Sequence, residues 1–369
     1  MLYIHFIPKH GKTREMSRYD LTFPIIVGLL LLTGLITLST AAPEWNFTIK
    51  QSVFMAVGLV GAGVVLWLGR SRIMQVAWPL YWVSIGLLVL THLFGREVNG
   101  AKSWLYIGPL PGFQPSELAK IALILTLAKV LHEKPIKSLL GYFRPGIIIL
   151  VPFALVFLEP DLGSSLVLAA IGGAMLLVRG IPWKHLLLFS LVLVLAFPTV
   201  VWPNLKPHQK TRLTIFLNPS ADPKGSGYQV IQSRIAIGSG GVWGKGYKQG
   251  TQSQLGFIPY RYSDFIFPVL AEEGGFVASV SLLLLYALLF WRLTILSLEC
   301  PYERDQLAIA GVLCLIAFQV IVNIGVTLGL APVTGITLPL VSYGGTSLLS
   351  TLVALGLVFV IHRDRYKDW

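Results

Sequence analysis

Stretches of about twenty consecutive apolar residues recur along this chain, and no other feature constrains its fold as tightly. A bilayer core of about 30 Å is crossed by roughly 20 helical residues. In lipid every backbone polar group must be satisfied within the segment, so such stretches are helices. Windows of that length predict ten spans, at residues 21–41, 50–69, 73–94, 115–132, 144–158, 161–179, 184–202, 264–297, 305–331 and 342–361. Only the turn Glu159-Pro160-Asp161 splits the fifth from the sixth. Of 369 residues, 54% are hydrophobic and 12% charged, against about 45–50% and 25% in soluble domains. Mean hydropathy is +0.72. A soluble enzyme, a disordered chain and a disulfide scaffold are excluded, and Cys300 and Cys314 read as inert thiols. The expected fold class is an all-α integral membrane protein with ten transmembrane helices. An N-terminal tail, 1–20, precedes one polytopic domain, 21–369. The first apolar run is too long for a signal peptide and reads as a retained helix.

Basic residues in short loops orient the spans. With the N-terminus inside, Arg14, Arg18, Arg70, Arg72, Arg144, Arg179, Arg292, Arg304, Arg363 and Arg365 are among the many cytoplasmic cations, whereas short outer segments hold only Lys50, Arg96, Lys102 and Lys120. Both termini are therefore expected in the cytoplasm. The net charge of +12 then sets topology and does not point to nucleic acid. One long loop, about 203–263 between helices seven and eight, is placed outside. Its segment Tyr228 to Ile237 has the spacing of a short amphipathic helix on the outer surface.

Counted from that N-terminus, helices four, six, eight and ten begin at the outer face, and the unusual polar residues cluster at those beginnings. They are Ser116, Glu117 and Lys120; Asp161; Ser263 and Asp264; and Ser342 to Ser347. Ionisable groups at membrane depth cost about 3 kcal/mol each and usually face a cavity or one another. Glu117 and Lys120, at i and i+3, share a helical face and can pair, as a structural pair at the interface or as part of a functional cavity. Asp264 fits an N-cap, but a functional carboxylate is favoured. Four helix N-termini on one leaflet would attract phosphate, which favours a lipid-linked anion as ligand. Arg212 and Lys245 in the loop would strengthen that field.

Other chemistries fail on spacing. Gly238 to Lys245 and Gly11-Lys12-Thr13 lack the Walker pattern, the seven histidines have no zinc-ligand spacing, and nothing anchors a Ser-His-Asp triad. Glu272 and Glu273, before Gly274-Gly275, are read as polar residues satisfied in a kink, with the true span beginning near Phe276.

Several ordered motifs carry a resemblance. They are Gly100-Ala101-Lys102-Ser103-Trp104, Phe113 to Lys120, Glu159-Pro160-Asp161-Leu162-Gly163-Ser164-Ser165, Gly227 to Ser233, Gly250-Thr251-Gln252-Ser253-Gln254-Leu255, Ser263 to Phe267, and Leu338 to Gly345. Through nearly its whole length after Asp20 the chain resembles the SEDS family of bacterial peptidoglycan glycosyltransferases, and its elongation branch more than its division branch. The resemblance implies polymerisation of lipid II into glycan strands at the outer face of the bacterial inner membrane, with release of undecaprenyl pyrophosphate. It also implies a class B penicillin-binding protein as partner, docked on helices eight and nine, and Mg²⁺ or Mn²⁺ as a possible cofactor with no ligands readable. The family's essential aspartate falls on Asp264, and its cavity-lining pair on Glu117 and Lys120. Trp104, Asp161, Arg212, Lys245, Ser342 and Tyr343 complete the candidate substrate-binding set. Where the family usually reads Pro-Glu-x-His-Thr-Asp, this chain has Pro259-Tyr260-Arg261-Tyr262-Ser263-Asp264, so no role of that glutamate or histidine carries over. The rival reading is a lipid II flippase, which would need polar groups reachable from both sides.

Overall fold

A computed structural model describes residues 21–366, apart from 43, 99, 100, 107–111, 134, 135, 137, 197, 200, 201, 205–209, 211–213, 217, 219–221, 223 and 224. The architecture is a helical bundle. Its helices are α1 (Thr22–Ala41), α2 (Trp45–Gln75), α3 (Ala77–Phe94), α4 (Pro115–Glu133), α5 (Phe143–Leu158), α6 (Leu162–Arg179) and α7 (Trp183–Ala196). After the long connection come α8 (Ser226–Ser239), the single turn α9 (Thr251–Gln254), α10 (Ile266–Leu298), α11 (Glu303–Leu328) and α12 (Gly345–Arg363). A short antiparallel hairpin, β1 (Arg96–Val98) and β2 (Ala101–Trp104), bridges α3 and α4. Periodicity did not foretell it.

Eight described helices are long and apolar enough to cross a membrane. Of the ten expected spans, α4 and α7 fall outside that set. Described α7 has 14 residues, and α4 carries Glu117, Lys120 and Lys129. The interior position of α4 explains its composition, since fifteen of its nineteen residues are buried and lipid does not need to be satisfied. The outer surface shows the opposite pattern, with Ile25, Leu32, Val60, Val83, Leu284 and Trp291 exposed. Such a surface is stable only against hydrocarbon. Small residues bring α2 and α12 together: a Cβ on Gly58 would stand 2.6 Å from Leu352 Cδ1, and one on Gly356 2.9 Å from Ala62 Cβ. Without a hydrophobic force between helices, this close backbone approach supplies the packing energy.

Two helices are broken by glycine. At Gly69 (φ 78°, ψ 161°) the last turns of α2 swing away from the span. At Gly275 (φ 68°, ψ −162°) α10 divides, and the loop 240–246 docks into the gap. Lys245 N–H donates to the Glu272 carbonyl (3.0 Å) and Gly246 N–H to that of Glu273 (2.9 Å). In return Phe276 and Val277 N–H donate to the carbonyls of Gly241 (2.9 Å) and Val242 (3.2 Å). The backbone groups freed by the break are thus satisfied by the loop, as irregular backbone at membrane depth requires. A span beginning near Phe276 matches this division.

The amphipathic segment forms α8, but its apolar face meets protein. Val230, Ser233 and Ala236 are buried, and Ser233 Oγ donates to the Thr327 carbonyl of α11 (2.6 Å).

Candidate active site

The loop between α11 and α12, residues 329–344, gathers polar groups from several helix starts. Asp264 lies two residues before α10, where the side chain of Asn323 fixes its backbone. Asn323 Nδ2 donates to the Asp264 carbonyl (2.9 Å) and to the Ile336 carbonyl (2.7 Å). One amide near the C-terminal end of α11 therefore ties the start of α10 to the loop. The Asp264 carboxylate passes over Gly335, whose Cβ position would lie 3.8 Å from Oδ2. Gly335 has φ 75°, a conformation that L-residues with a side chain rarely adopt. Thr334 and Ile336 on either side pack on α6, since a Cβ at Gly163 would meet the Thr334 carbonyl oxygen at 2.7 Å.

Ser342 and Tyr343 hold the same junction. Ser342 Oγ donates to the Ser263 carbonyl (2.5 Å) and accepts from Leu338 N–H (2.9 Å). Tyr343 N–H donates to the Tyr262 carbonyl (2.9 Å), and Phe47, Tyr262 and Tyr343 form an aromatic cluster with centroids 4.7–6.1 Å apart. Gln51 of α2 completes it, donating to the Ser342 carbonyl (2.9 Å). A turn at Pro339 to Val341 and a bend at Ser342 precede the helix, so α12 starts at Gly345 and not at 342. That helix has no side-chain cap; its first N–H groups are the kind that attract anions.

Glu117 and Lys120 pair within α4 (Oε1 to Nζ 2.6 Å) and are almost sealed from solvent, Lys120 at 2% exposure. Ser350 of α12 donates to the other Glu117 oxygen (2.6 Å). The pair is joined to the Asp264 junction through α12, since Ser350 Oγ donates to the Ser347 carbonyl and Ser347 Oγ hydrogen-bonds Thr337. Asp161 is the N-cap of α6, accepting from Ser164 N–H (2.9 Å), while Gln114, just before α4, donates to its second oxygen (3.1 Å). The starts of α4, α6, α10 and α12 are therefore linked by direct contacts.

Lys245 stands elsewhere. Its Nζ donates to Glu272 Oε1 (2.7 Å), a carboxylate with no exposed surface that also receives Gln252 N–H (2.8 Å) and Ser253 N–H (3.0 Å). This clamp seats α9 against α10, and the kink reading of Glu272 describes it well. Trp104 ends β2, beside the bridge between Leu105 and Phe113. Arg212 lies outside the described residues.

Several positioning residues escaped sequence reasoning. Asn323 is an amide within the apolar run from Val320 to Ile324, and that position was the available signal. Gln51 and Ser350 have polar neighbours in sequence, Lys50 and Ser52 for the first and Thr351 for the second, and so gave none. Glu159 is another. Burial, and secondarily the neighbouring Asp161, pushes its carboxyl up to about 8, and its Oε1 has no hydrogen-bond partner among the described residues.

A family model described as cell cycle protein, FtsW/RodA/SpoVE, matches residues 18–367. The chain belongs to this family. Peptidoglycan glycosyltransferase MrdB of Escherichia coli (strain K12) is 39% identical over 344 residues, 92% of each chain. Stage V sporulation protein E of Bacillus subtilis (strain 168) is 36% identical over 375 residues, 96% of this chain and all of that one. Among solved structures, a chain of a peptidoglycan synthase complex that coordinates polymerization and crosslinking superposes with a TM-score of 0.85 at 46% identity, covering 95% and 99% of the two chains. The crystal structure of the rod shape determining protein RodA of Thermus thermophilus gives 0.74 at 40% identity, covering 95% and 98%. Like other members of the FtsW/RodA/SpoVE family, the chain is an integral protein of the bacterial inner membrane.

Proposed function

We infer that this chain is a peptidoglycan glycosyltransferase of cell elongation, polymerising lipid II at the outer face of the inner membrane with both termini in the cytoplasm. The observation that carries the reading is the carboxylate of Asp264 at the junction of four helix starts, in a chain 39% identical to a named peptidoglycan glycosyltransferase over 92% of both lengths.

Inverting transfer from a lipid-linked diphosphate needs a base for the attacking sugar hydroxyl and stabilisation of the departing diphosphate. Asp264 takes the proton from the 4-hydroxyl of the acceptor N-acetylglucosamine. The Asn323 bond to its carbonyl fixes the backbone from which the carboxylate reaches. The uncapped first turn of α12 faces the diphosphate, with Lys120 adding positive charge behind Glu117. Glu117 and Asp161 have both carboxylate oxygens engaged, and no three His, Cys, Asp or Glu side chains cluster for a metal among the described residues. These residues do not make a resident Mg²⁺ or Mn²⁺ site. An open cavity of about 260 Å³ between α1 and α10, lined by Thr33, Thr37, Leu270 and Ala278, supports entry of an apolar tail beside the half-helix that Asp264 precedes. The partner is a class B penicillin-binding protein, in keeping with the synthase complex that this fold matches.

A flippase would need polar groups continuous across the membrane, whereas the core between the two ends of α4 is apolar from Ile121 to Leu125. The test is glycan polymerisation from labelled lipid II by the protein with its penicillin-binding partner, whose transpeptidase is blocked by a β-lactam. Asp264→Asn, folded and partner-bound, is expected to make no strands where wild type makes long ones. Equal product from both would remove Asp264 as the base, and lipid II scrambling in vesicles without polymer would favour the flippase.

A further inference from the structure

At the end of the bundle opposite Asp264, the break in α2 opens a second cavity. Gln51, which bonds the Ser342 turn, and Arg70 lie nineteen residues apart on α2, about 28 Å at 1.5 Å per residue. That is close to a full bilayer core, so the cavity sits at the other membrane face. Its volume is about 510 Å³, and its wall includes Gly69, Arg70, Arg72, Gln75, Arg363 and Asp364. Three of these are arginines and one is a carboxylate.

The wall is stiff. Arg70 Nη1 donates to the fully buried Asp305 (2.7 Å), and the Arg70 backbone N–H reaches Asp364 Oδ2 (3.4 Å). Arg363 donates through Nε and Nη2 to the two Asp364 oxygens (3.0 Å each). The third cation, Arg72, is exposed and enters no ion pair among the described residues. Trp67, 76% exposed, stands two residues before the break, an amphipathic ring at the level where such rings mark the lipid–water boundary. A preformed basic hollow beside that ring, at headgroup depth, has the chemistry of a lipid phosphate site.

We propose that this hollow binds the phosphate headgroup of an anionic glycerophospholipid, with Arg72 as its principal contact. The site lies across the membrane from the catalytic junction and does not rest on the glycosyltransferase reading. By orientation, the lipid belongs to the inner leaflet.

The test is native mass spectrometry of the full-length protein released from nanodiscs of phosphatidylcholine containing phosphatidylglycerol, which present the same lipid on both faces. Wild type is expected to retain phosphatidylglycerol over phosphatidylcholine. Arg72→Glu is expected to lower that retention about fivefold or more, Arg72→Lys to keep most of it, and Lys184→Glu, at another exposed cation, to leave it unchanged. Thermal unfolding of each variant verifies folding. The proposal is overturned if wild type shows no preference, if Arg72→Glu retains the lipid like wild type, or if Lys184→Glu loses as much. It is equally overturned if excess inorganic phosphate displaces the lipid and raises the melting temperature as much, which would make the ligand a soluble anion.

Discussion

Lys120 and Glu117 are an ion pair removed from water, and such pairs respond asymmetrically to mutation. Removing one partner strands a buried charge at a cost of about 3–5 kcal/mol, whereas replacing both with groups of similar volume is often close to neutral. Lys120→Met alone is therefore expected to lower the thermal unfolding temperature sharply, and Lys120→Met with Glu117→Gln to recover most of the loss. If both proteins lack polymerase activity while the double variant is stable, the Glu117–Lys120 pair acts on substrate and not only on packing. Glu159 gives a pH signature. Its carboxyl titrates near 4.5 in the unfolded chain and at about 8 in the folded one, through burial and then Asp161. The folded state holds this proton longer, so the associated stability is complete below about pH 4.5. It is lost as pH rises to about 8, by roughly 3–5 kcal/mol. Glu159→Gln is expected to flatten that part of the stability profile, measured by unfolding between pH 5 and 8.5 in steps of about half a unit. Charged residues such as Asp264 and Glu117 were legible in the sequence because ionisable groups in apolar runs stand out. Asn323 and Gln51 were not, because an amide's value lies in the distant backbone groups it holds: Asn323 joins carbonyls 59 and 13 residues away, and Gln51 donates to a carbonyl 291 residues away.

Among the elements, the divided helix α10 has the most exacting geometry. A Cβ on Gly275 would fall 2.3 Å from Gly244 N and 2.6 Å from the Val242 carbonyl oxygen, in a backbone conformation already unfavourable to side chains. Gly275→Ala is expected to cost about 2–4 kcal/mol and to expose the loop 240–246 to protease. Loss of stability without increased cleavage there would mean that the helix had healed without ejecting the loop. Adjacent glutamates and glycines made the kink legible in the sequence. The loop that fills it was not, because backbone-to-backbone bonding leaves no side-chain pattern, and Gly238 to Lys245 resembled a failed phosphate loop. Likewise Lys245 looked available for an anion until Glu272, 27 residues on, proved to hold it.

For the molecule as a whole, eight of the apolar runs coincide with described helices long and apolar enough to cross a membrane, because bilayer thickness sets their length. The interior helix α4 shows where that rule weakens: screened from lipid, it needs less hydrophobicity and keeps its ion pair. The eight residues from Ile266 to Glu273 form a stub separated from the long lipid-facing part of α10 by the Gly275 break, and pinned to the loop 240–246 by backbone bonds. Hydrophobic mismatch acts by tilting helices that are continuous across the bilayer. The loop bonds the start of the long part as well, through Phe276 and Val277 N–H, so tilt is taken up about this bonded pivot at the Gly275 break and the depth of Asp264 follows the loop and not the acyl chains. Turnover in bilayers of shorter and longer lipids is therefore expected to vary less than twofold for wild type, and to become thickness-dependent in Gly275→Ala. Such an enzyme would keep its register with the surface while the membrane beneath it thins and thickens with temperature and growth.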